Sequence, residues 1–149
     1  LKKERIIMKN NKGFSLVELI IVIAIMAILA GALAPALIKY INKSRKSTDI
    51  SNGDLIAKAV TTALAEEAGF EACTKTSYSS TELCSDGNAF TDETHSTLGA
   101  ASMKVKYGNS KGKDFTIEVD KANNKCIVYA NPTKNADDQV YPEQGKNYK

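Results

Sequence analysis

Among the side chains that could have a chemical role, the most informative is a single carboxylate at the start of a long apolar run. Glu18 is followed by 20 residues, from Leu19 to Ile38, that carry no charge. A charged side chain at the edge of such a helix is expensive to bury, so it usually has a partner and a function. Ser15 and Glu18 also have the spacing of a capping box, in which each side chain accepts a hydrogen bond from the other residue's backbone amide. The two roles do not exclude each other.

The three thiols and the single histidine suggest less. Cys73, Cys84 and Cys126 allow at most one bridge within the chain. If the domain is exported, we expect the bridge between Cys73 and Cys84, which lie in a polar segment, and Cys126 is then a buried free thiol. His95 is the single histidine. The sequence shows no Ser-His-Asp set, no metal-ligand spacing and no phosphate-binding glycine loop. We therefore predict that the chain is not an enzyme and needs no metal or cofactor.

The apolar run itself predicts a helix that needs a non-aqueous environment. Its 20 uncharged residues would form a helix about 30 Å long, the thickness of the hydrocarbon core of a bilayer. The run has no polar stripe, which argues against a helix buried in a globular core. It is also longer than the apolar stretch of a secretory signal. A membrane-spanning helix is favoured, and an uncleaved signal anchor is the simplest alternative.

A basic segment precedes the run. Residues 1–13 have five basic side chains and one acidic side chain, a formal charge of +4, so the rest of the chain has −1 of the total of +3. The pI of about 8.7 therefore belongs to this segment and gives no reason to expect a nucleic-acid-binding domain. The segment begins at Leu1, or at Met8 if translation starts there, and neither start changes the residues that follow.

The junction between the two segments has the sequence Lys12-Gly13-Phe14-Ser15-Leu16-Val17-Glu18-Leu19. This resembles the processing site of type IV pilins and pseudopilins: a basic leader, Gly, Phe, three residues, Glu and an apolar helix. The resemblance implies that a prepilin peptidase cuts between Gly13 and Phe14 and methylates the new amine of Phe14. It also implies that Glu18 pairs with this amine on a neighbouring subunit, so that processing precedes assembly.

The resemblance further implies a function and a set of partners. The chain is expected to be the major subunit of a type IV pilus, a homo-oligomeric helical filament built by an assembly platform and its ATPase. It would be a single-pass precursor in the cytoplasmic membrane with its head outside, and a cell-surface fibre after assembly. A minor pilin or a type II secretion pseudopilin has the same motif. A membrane-tethered binding or enzymatic domain is a third hypothesis, from a different class.

Two residues within the apolar run are candidates for a bend. Pro35 removes one helix hydrogen bond and crowds the carbonyl of Gly31, four residues earlier. We expect a kink or local melting there, although proline is often harmless in membrane helices. In pilins, a proline at this place resembles the region where the helix loosens inside the filament.

The remaining chain is predicted to form an α+β head. Apolar residues at helical spacing predict that the helix continues to Ala68, with Gly69 as its C-terminal cap. Alternating residues predict strands at 103–107, 115–119 and 126–129 in a small antiparallel sheet that covers the helix. The expected divisions are a leader at 1–13, the apolar helix at 14–38, its amphipathic continuation at 39–68, a connecting loop at 69–101, the sheet at 102–131 and a tail at 132–149.

Two details of this prediction can be compared directly with a structure. In the first hairpin, Tyr107 should face Phe115 and Val105 should face Ile117. In the second, Val119 should face Cys126 and Ile117 should face Val128, which leaves Ile127 and Tyr129 on the opposite face. Pilins often have a disulfide near the C-terminus, but this sequence has no cysteine after Cys126. The loop closure usual in the family is therefore absent or replaced.

Overall fold

The computed structural model describes residues 13–99 and 103–149. The chain divides into two compact units, Leu1–Tyr40 and Ile41–Lys149. The predicted α+β class is confirmed: a long N-terminal helix, apolar in its first half, is combined with a four-stranded antiparallel sheet. Most of the predicted leader lies outside the described residues, as do residues 100–102.

The first unit contains the apolar part of helix α1, which extends over Leu16–Ala65. Every residue from 13 to 41 is exposed in the isolated chain. An 18-residue window of this helix has a mean hydropathy of 2.8, so by length and composition it could cross a membrane. Helix α1 continues through Pro35 without interruption. The expected melting at Gly31 and Pro35 is therefore not seen here, and loosening within a filament stays a prediction.

In the second unit, the last part of α1 packs against a four-stranded sheet. The strands are β1 (Ser77–Ser79), β2 (Thr116–Asp120), β3 (Lys125–Tyr129) and β4 (Gln139–Tyr141), in the order β1-β2-β3-β4. The core brings together one face of α1 and the inward side chains of the sheet: Ile56, Val60, Ala63, Phe115, Ile117, Val128 and Val140. The predicted register of β2 with β3 is confirmed, with Val119 opposite Cys126 and Ile117 opposite Val128.

The predicted first hairpin is wrong. Residues 103–107 contribute only an isolated bridge between Lys104 and Asp114. Strand β2 pairs on that side with β1, which places Tyr78 opposite Ile117. The backbone amides of Lys106 and Tyr107, which a strand would use for pairing, instead donate to the carboxylate of Asp49. The two amides are therefore bound to a buried side chain of α1 and are not available for pairing in the sheet.

The segment predicted to be a connecting loop is largely helical. It contains α2 (Glu67–Ala72), β1, α3 (Ser80–Leu83) and α4 (Ala89–Leu98). Ser79 and Glu82 form a capping box at the start of α3, and Asn88 and Thr91 form the equivalent pair at α4. These local hydrogen bonds satisfy the first amides of short helices that could not otherwise form in water.

The predicted end of the long helix and the predicted tail also need correction. Helix α1 ends at Ala65, and Gly69 lies inside α2 rather than capping α1. At Gly69 an added Cβ would collide with the carbonyl oxygen of Ala63, so the chain folds back too closely for any larger residue. Residues 132–149 are not a free tail, because they include β4 and the buried Tyr148.

Candidate functional site

The first turn of α1 holds the residues that the sequence singles out. Gly13 and Phe14 precede the helix, and Phe14 is 88% exposed. No atom lies within 4 Å of the position that a Cβ of Gly13 would occupy. The backbone of Gly13 and Phe14 is therefore exposed and lies outside the helix.

Ser15 and Glu18 form a local cap at this end of the helix. The backbone amide of Ser15 donates to Oε2 of Glu18 at 2.8 Å, as the capping box predicts. The Oγ of Ser15 accepts from the amide of Val17 at 3.3 Å, instead of from the predicted amide of Glu18. A carboxylate in the first turn also interacts favourably with the helix dipole. Oε1 of Glu18 accepts no hydrogen bond from any other described residue, so one oxygen is available to a partner.

Comparisons with known proteins found two similarities, one confined to this N-terminal region and one that covers a longer part of the chain. A sequence profile described as "Prokaryotic N-terminal methylation motif" matches residues 8–34. The chain is also 33% identical over 97 residues to the "Type IV major fimbrial protein FimA" of Dichelobacter nodosus. The chain is thus similar to a type IV pilin in sequence, and its N-terminal region has the methylation motif. The alignment covers 65% of this chain and 62% of the relative, so less than two thirds of that protein is matched. No solved structure matches the chain.

The similarity is to a structural subunit rather than to an enzyme. Among the described residues, no three His, Cys, Asp or Glu side chains are grouped so that they could hold a metal ion. His95 lies in α4, where its Nδ1 is 2.8 Å from Oδ1 of Asp86 on the surface.

All three cysteines are free thiols. Cys73 was expected to be exposed and bridged to Cys84, but it is buried and its Sγ accepts a hydrogen bond from the Tyr78 hydroxyl. Cys84 is only partly buried, and neither thiol is bridged in this structure, so the expected bridge stays a prediction. Cys126 is buried against α1, with its Sγ 3.9 Å from the carbonyl oxygen of Ala57, as predicted. Burial raises the pKa of Cys126 to about 11, which makes this thiol unreactive.

The head contains a buried acid that accepts three hydrogen bonds and that the sequence analysis did not identify. Asp49 of α1 is fully buried. Its Oδ1 accepts from the amide of Lys106 at 2.7 Å, and its Oδ2 accepts from the amide of Tyr107 at 2.9 Å and the hydroxyl of Tyr148 at 3.0 Å. We call these four residues the Asp49 cluster. Burial raises the pKa of Asp49 above its ordinary value, although the three hydrogen bonds oppose this shift.

The C-terminal segment is closed by a second carboxylate. Asp138 accepts from the side-chain amide of Asn131 at 2.6 Å and from that of Asn147 at 2.8 Å. With the Tyr148 hydroxyl bound to Asp49, these bonds close residues 131–148 without a covalent link. The only sequence signal for this closure is the concentration of Asn and Asp in the segment.

Proposed function

We propose that this chain is the major subunit of a type IV pilus. The observation that carries the proposal is the apolar part of α1, which is exposed along its whole length in the isolated chain. Such a surface is unstable in water and needs either lipid or other subunits. The same helix can meet both needs in turn, first as a single-pass anchor in the cytoplasmic membrane and then as the core of a surface filament.

Processing at the Gly13–Phe14 bond would connect these two states. A prepilin peptidase removes the basic leader there and methylates the amine of Phe14. The exposed, non-helical backbone at this bond and the match to the methylation motif support this step. An assembly platform with its ATPase then moves the processed subunit into the filament.

Glu18 would pair with the amine of Phe14 on a neighbouring subunit. Its Oε2 remains engaged by the Ser15 amide, while Oε1 receives the incoming amine. Each charge alone would be costly to place at an apolar boundary, so pairing the two charges favours assembly over isolated subunits.

The choice of a major rather than a minor subunit is supported by the relative in Dichelobacter nodosus, whose name describes a major fimbrial protein. Abundance in isolated fibres tests the choice. Fibres sheared from cells should appear in electron micrographs, and mass spectrometry should find this chain as their main component, beginning at a methylated Phe14. A few copies per fibre would instead indicate a minor pilin, and a chain that retains Gly13 would exclude processing.

The Glu18 pairing has its own test, which uses cells that make no other copy of the subunit. Glu18→Ala and Glu18→Gln should both be inserted and cleaved, because Gly13 and Phe14 are unchanged, yet neither should form fibres. If Glu18 only caps the helix, Glu18→Gln should largely restore assembly, because the loss of a cap costs only about 1 kcal/mol. Normal fibres from Glu18→Gln would therefore refute the pairing.

A further inference from the structure

Charge is unevenly distributed over the head. Residues 41–48 have three basic side chains and no acid, and residues 103–113 have four lysines and no acid. In contrast, residues 66–99 have seven acidic side chains and one lysine. The C-terminal segment 134–149 is balanced, with three charges of each sign. The head is therefore nearly neutral as a whole but strongly polarised.

The Asp49 cluster brings the basic segments together at one end of the head. It fixes Lys106 and Tyr107 against the first turns of α1 in this unit. The ammonium group of Lys46 lies 4.9 Å from the ring centre of Tyr107 and 3.4 Å from the backbone oxygen of Lys149. We call the surface that results the basic patch, and it comprises Lys43, Arg45, Lys46, Lys106 and Lys149.

The acidic side chains meet at the far end of the same helix. Glu66 follows the last residue of α1, and α2 packs against α4. We call the acidic side chains of this end of the head the acidic patch, which comprises Glu66, Glu67, Glu71, Asp92 and Glu93. Lys46 and Ala65 are separated by roughly 28 Å along α1, at about 1.5 Å per residue. The two patches thus lie too far apart to neutralise each other within one chain.

Neither patch forms an ion pair within the described residues. The ion pairs among the described residues involve Lys75, His95, Lys104 and Lys134 with their acidic partners, and no side chain of either patch takes part in them. At physiological salt, charges interact over about 8 Å. A neighbouring surface of opposite sign therefore interacts with either patch only when it comes into close contact.

We propose that the basic patch of one pilin head docks on the acidic patch of a second copy. Because the two patches are different surfaces at opposite ends of the head, this contact is heterologous. A heterologous contact leaves one patch of each sign free after every addition and so repeats without closing, which suits a filament. Complementary charge also selects the register of approach, because a shifted head brings like charges together.

The proposal rests on the proposed function, since it requires copies of this chain to be neighbours. An anionic lipid surface is the competing occupant of the basic patch, because that patch lies next to the end of α1 that leads into the apolar segment. Lipid would not involve the acidic patch. The second copy is favoured because it accounts for both patches.

Charge reversal in the full-length chain tests the contact. Lys43→Glu with Lys106→Glu reverses two exposed members of the basic patch, and Glu67→Lys with Glu71→Lys reverses two exposed members of the acidic patch. Each pair should reduce surface fibres about tenfold relative to the cleaved subunit in the membrane. All four substitutions together should restore most of the fibres.

The control is Lys58→Glu with Lys125→Glu, an equal reversal at exposed positions outside both patches, which should leave fibres unchanged. A fourfold variant no better than either pair would overturn the proposal. Loss of fibres from the basic pair alone, with the acidic pair normal, would also overturn it and would indicate lipid.

Carbodiimide cross-linking separates this contact from the proposed function. The reagent joins a lysine amine to a carboxylate only where the two touch, and the distance along α1 excludes links between the patches within one chain. Links from Lys43 or Lys106 to Glu67 or Glu71 are therefore expected between copies, in fibres or in the membrane. If fibres lack this chain, the proposed function fails, and links in the membrane then decide on the contact. If those links are missing as well, the contact does not exist.

Discussion

The Asp49 cluster should contribute much of the stability of the head. Asp49→Ala removes an acceptor that holds three donors. A buried donor left without an acceptor costs roughly 1–3 kcal/mol, and part of this cost is recovered because water reaches the two amides and because the desolvation cost of the buried carboxylate is removed. The net loss of unfolding free energy should be about 3–5 kcal/mol, a large share of the stability of a small domain.

Two milder substitutions measure how much individual hydrogen bonds of the cluster contribute to stability. Asp49→Asn keeps Oδ1 for the Lys106 amide, and the Tyr148 hydroxyl can turn to accept from the new amide group, so only the Tyr107 amide loses its acceptor. We expect a loss of about 1–3 kcal/mol. Tyr148→Phe removes one bond and keeps the edge-to-face contact of its ring with Tyr107, so about 2 kcal/mol should be lost.

The assay is urea unfolding followed by far-UV circular dichroism, on a soluble form that begins at Lys39. This form should be a folded monomer, because the core lies entirely in the second unit and the exposed apolar segment is removed. Tyr141→Phe is the matched control, since the Tyr141 hydroxyl makes no hydrogen bond with another described residue, and it should change stability by less than about 0.5 kcal/mol. In a double-mutant cycle, Asp49→Ala and Tyr148→Phe should couple by about 1–2 kcal/mol.

The pH dependence gives a second check on the same acid. Since the pKa of Asp49 is raised in the folded state, the folded chain binds this proton more tightly than the unfolded chain. The contribution of Asp49 to stability should be largest below the unfolded value of 3.8 and should fall as the pH rises through the folded pKa. Asp49→Asn should remove this slope. Zero coupling to Tyr148, or an unchanged slope in Asp49→Asn, would refute the account of the cluster.

Three further predictions concern the packing, the surface and the thiols of the head. Gly53→Ala should destabilise the head by about 1–3 kcal/mol, because the new Cβ would lie 2.6 Å from Cγ2 of Val140, whereas Ser51→Ala on the exposed face of α1 should be tolerated. Asp114 titrates in the opposite sense to Asp49: burial disfavours its charge, but hydrogen bonds from Lys104, Thr81 and Ser80 outweigh this and lower its pKa to about 2. Its stabilising contribution should be complete above 3.8 and lost as the pH falls towards 2, so urea unfolding of Asp114→Asn and the wild type should converge only in strong acid. A maleimide should label Cys84 before the buried Cys73 and Cys126, and a gain of two hydrogens on reduction would show that a bridge exists after all.

The parts of the fold that the sequence predicted correctly depend on the spacing of apolar residues and on interactions between residues close together in the sequence. The uncharged run required a long apolar helix, and the alternation in residues 115–119 and 126–129 determined both the pairing and the register of β2 and β3. The burial of Cys126 against α1 followed from that register. The motif at Gly13, Phe14 and Glu18 was equally local, because the family is recognised by adjacent residues.

The wrong predictions concern segments whose backbone amides form hydrogen bonds with residues far away in the sequence. Alternation at 103–107 predicted a strand, but a carboxylate more than fifty residues earlier binds two of its amides. Nothing in the residues around Asp49 indicates that it is buried. The helices at 80–83 and 89–98 could have been found, because Ser79 with Glu82 and Asn88 with Thr91 have capping-box spacing. The roles of β4 and Tyr148 could not, because a three-residue strand has too few positions to show a period.

The bond between Asp49 and Tyr148 joins residues 99 positions apart, and this separation would constrain the order of folding if the head is exported, as the proposed function requires. A chain that crosses the membrane from its N-terminal side presents Asp49 long before Tyr148. Until Tyr148 emerges, the carboxylate lacks one of its donors and stays accessible to water, so the head cannot reach its final stability while the chain is still in the translocation channel. In an exported chain the head would therefore reach its full stability only after residue 148 has emerged, and a chain that stalls before that point would remain open to proteases.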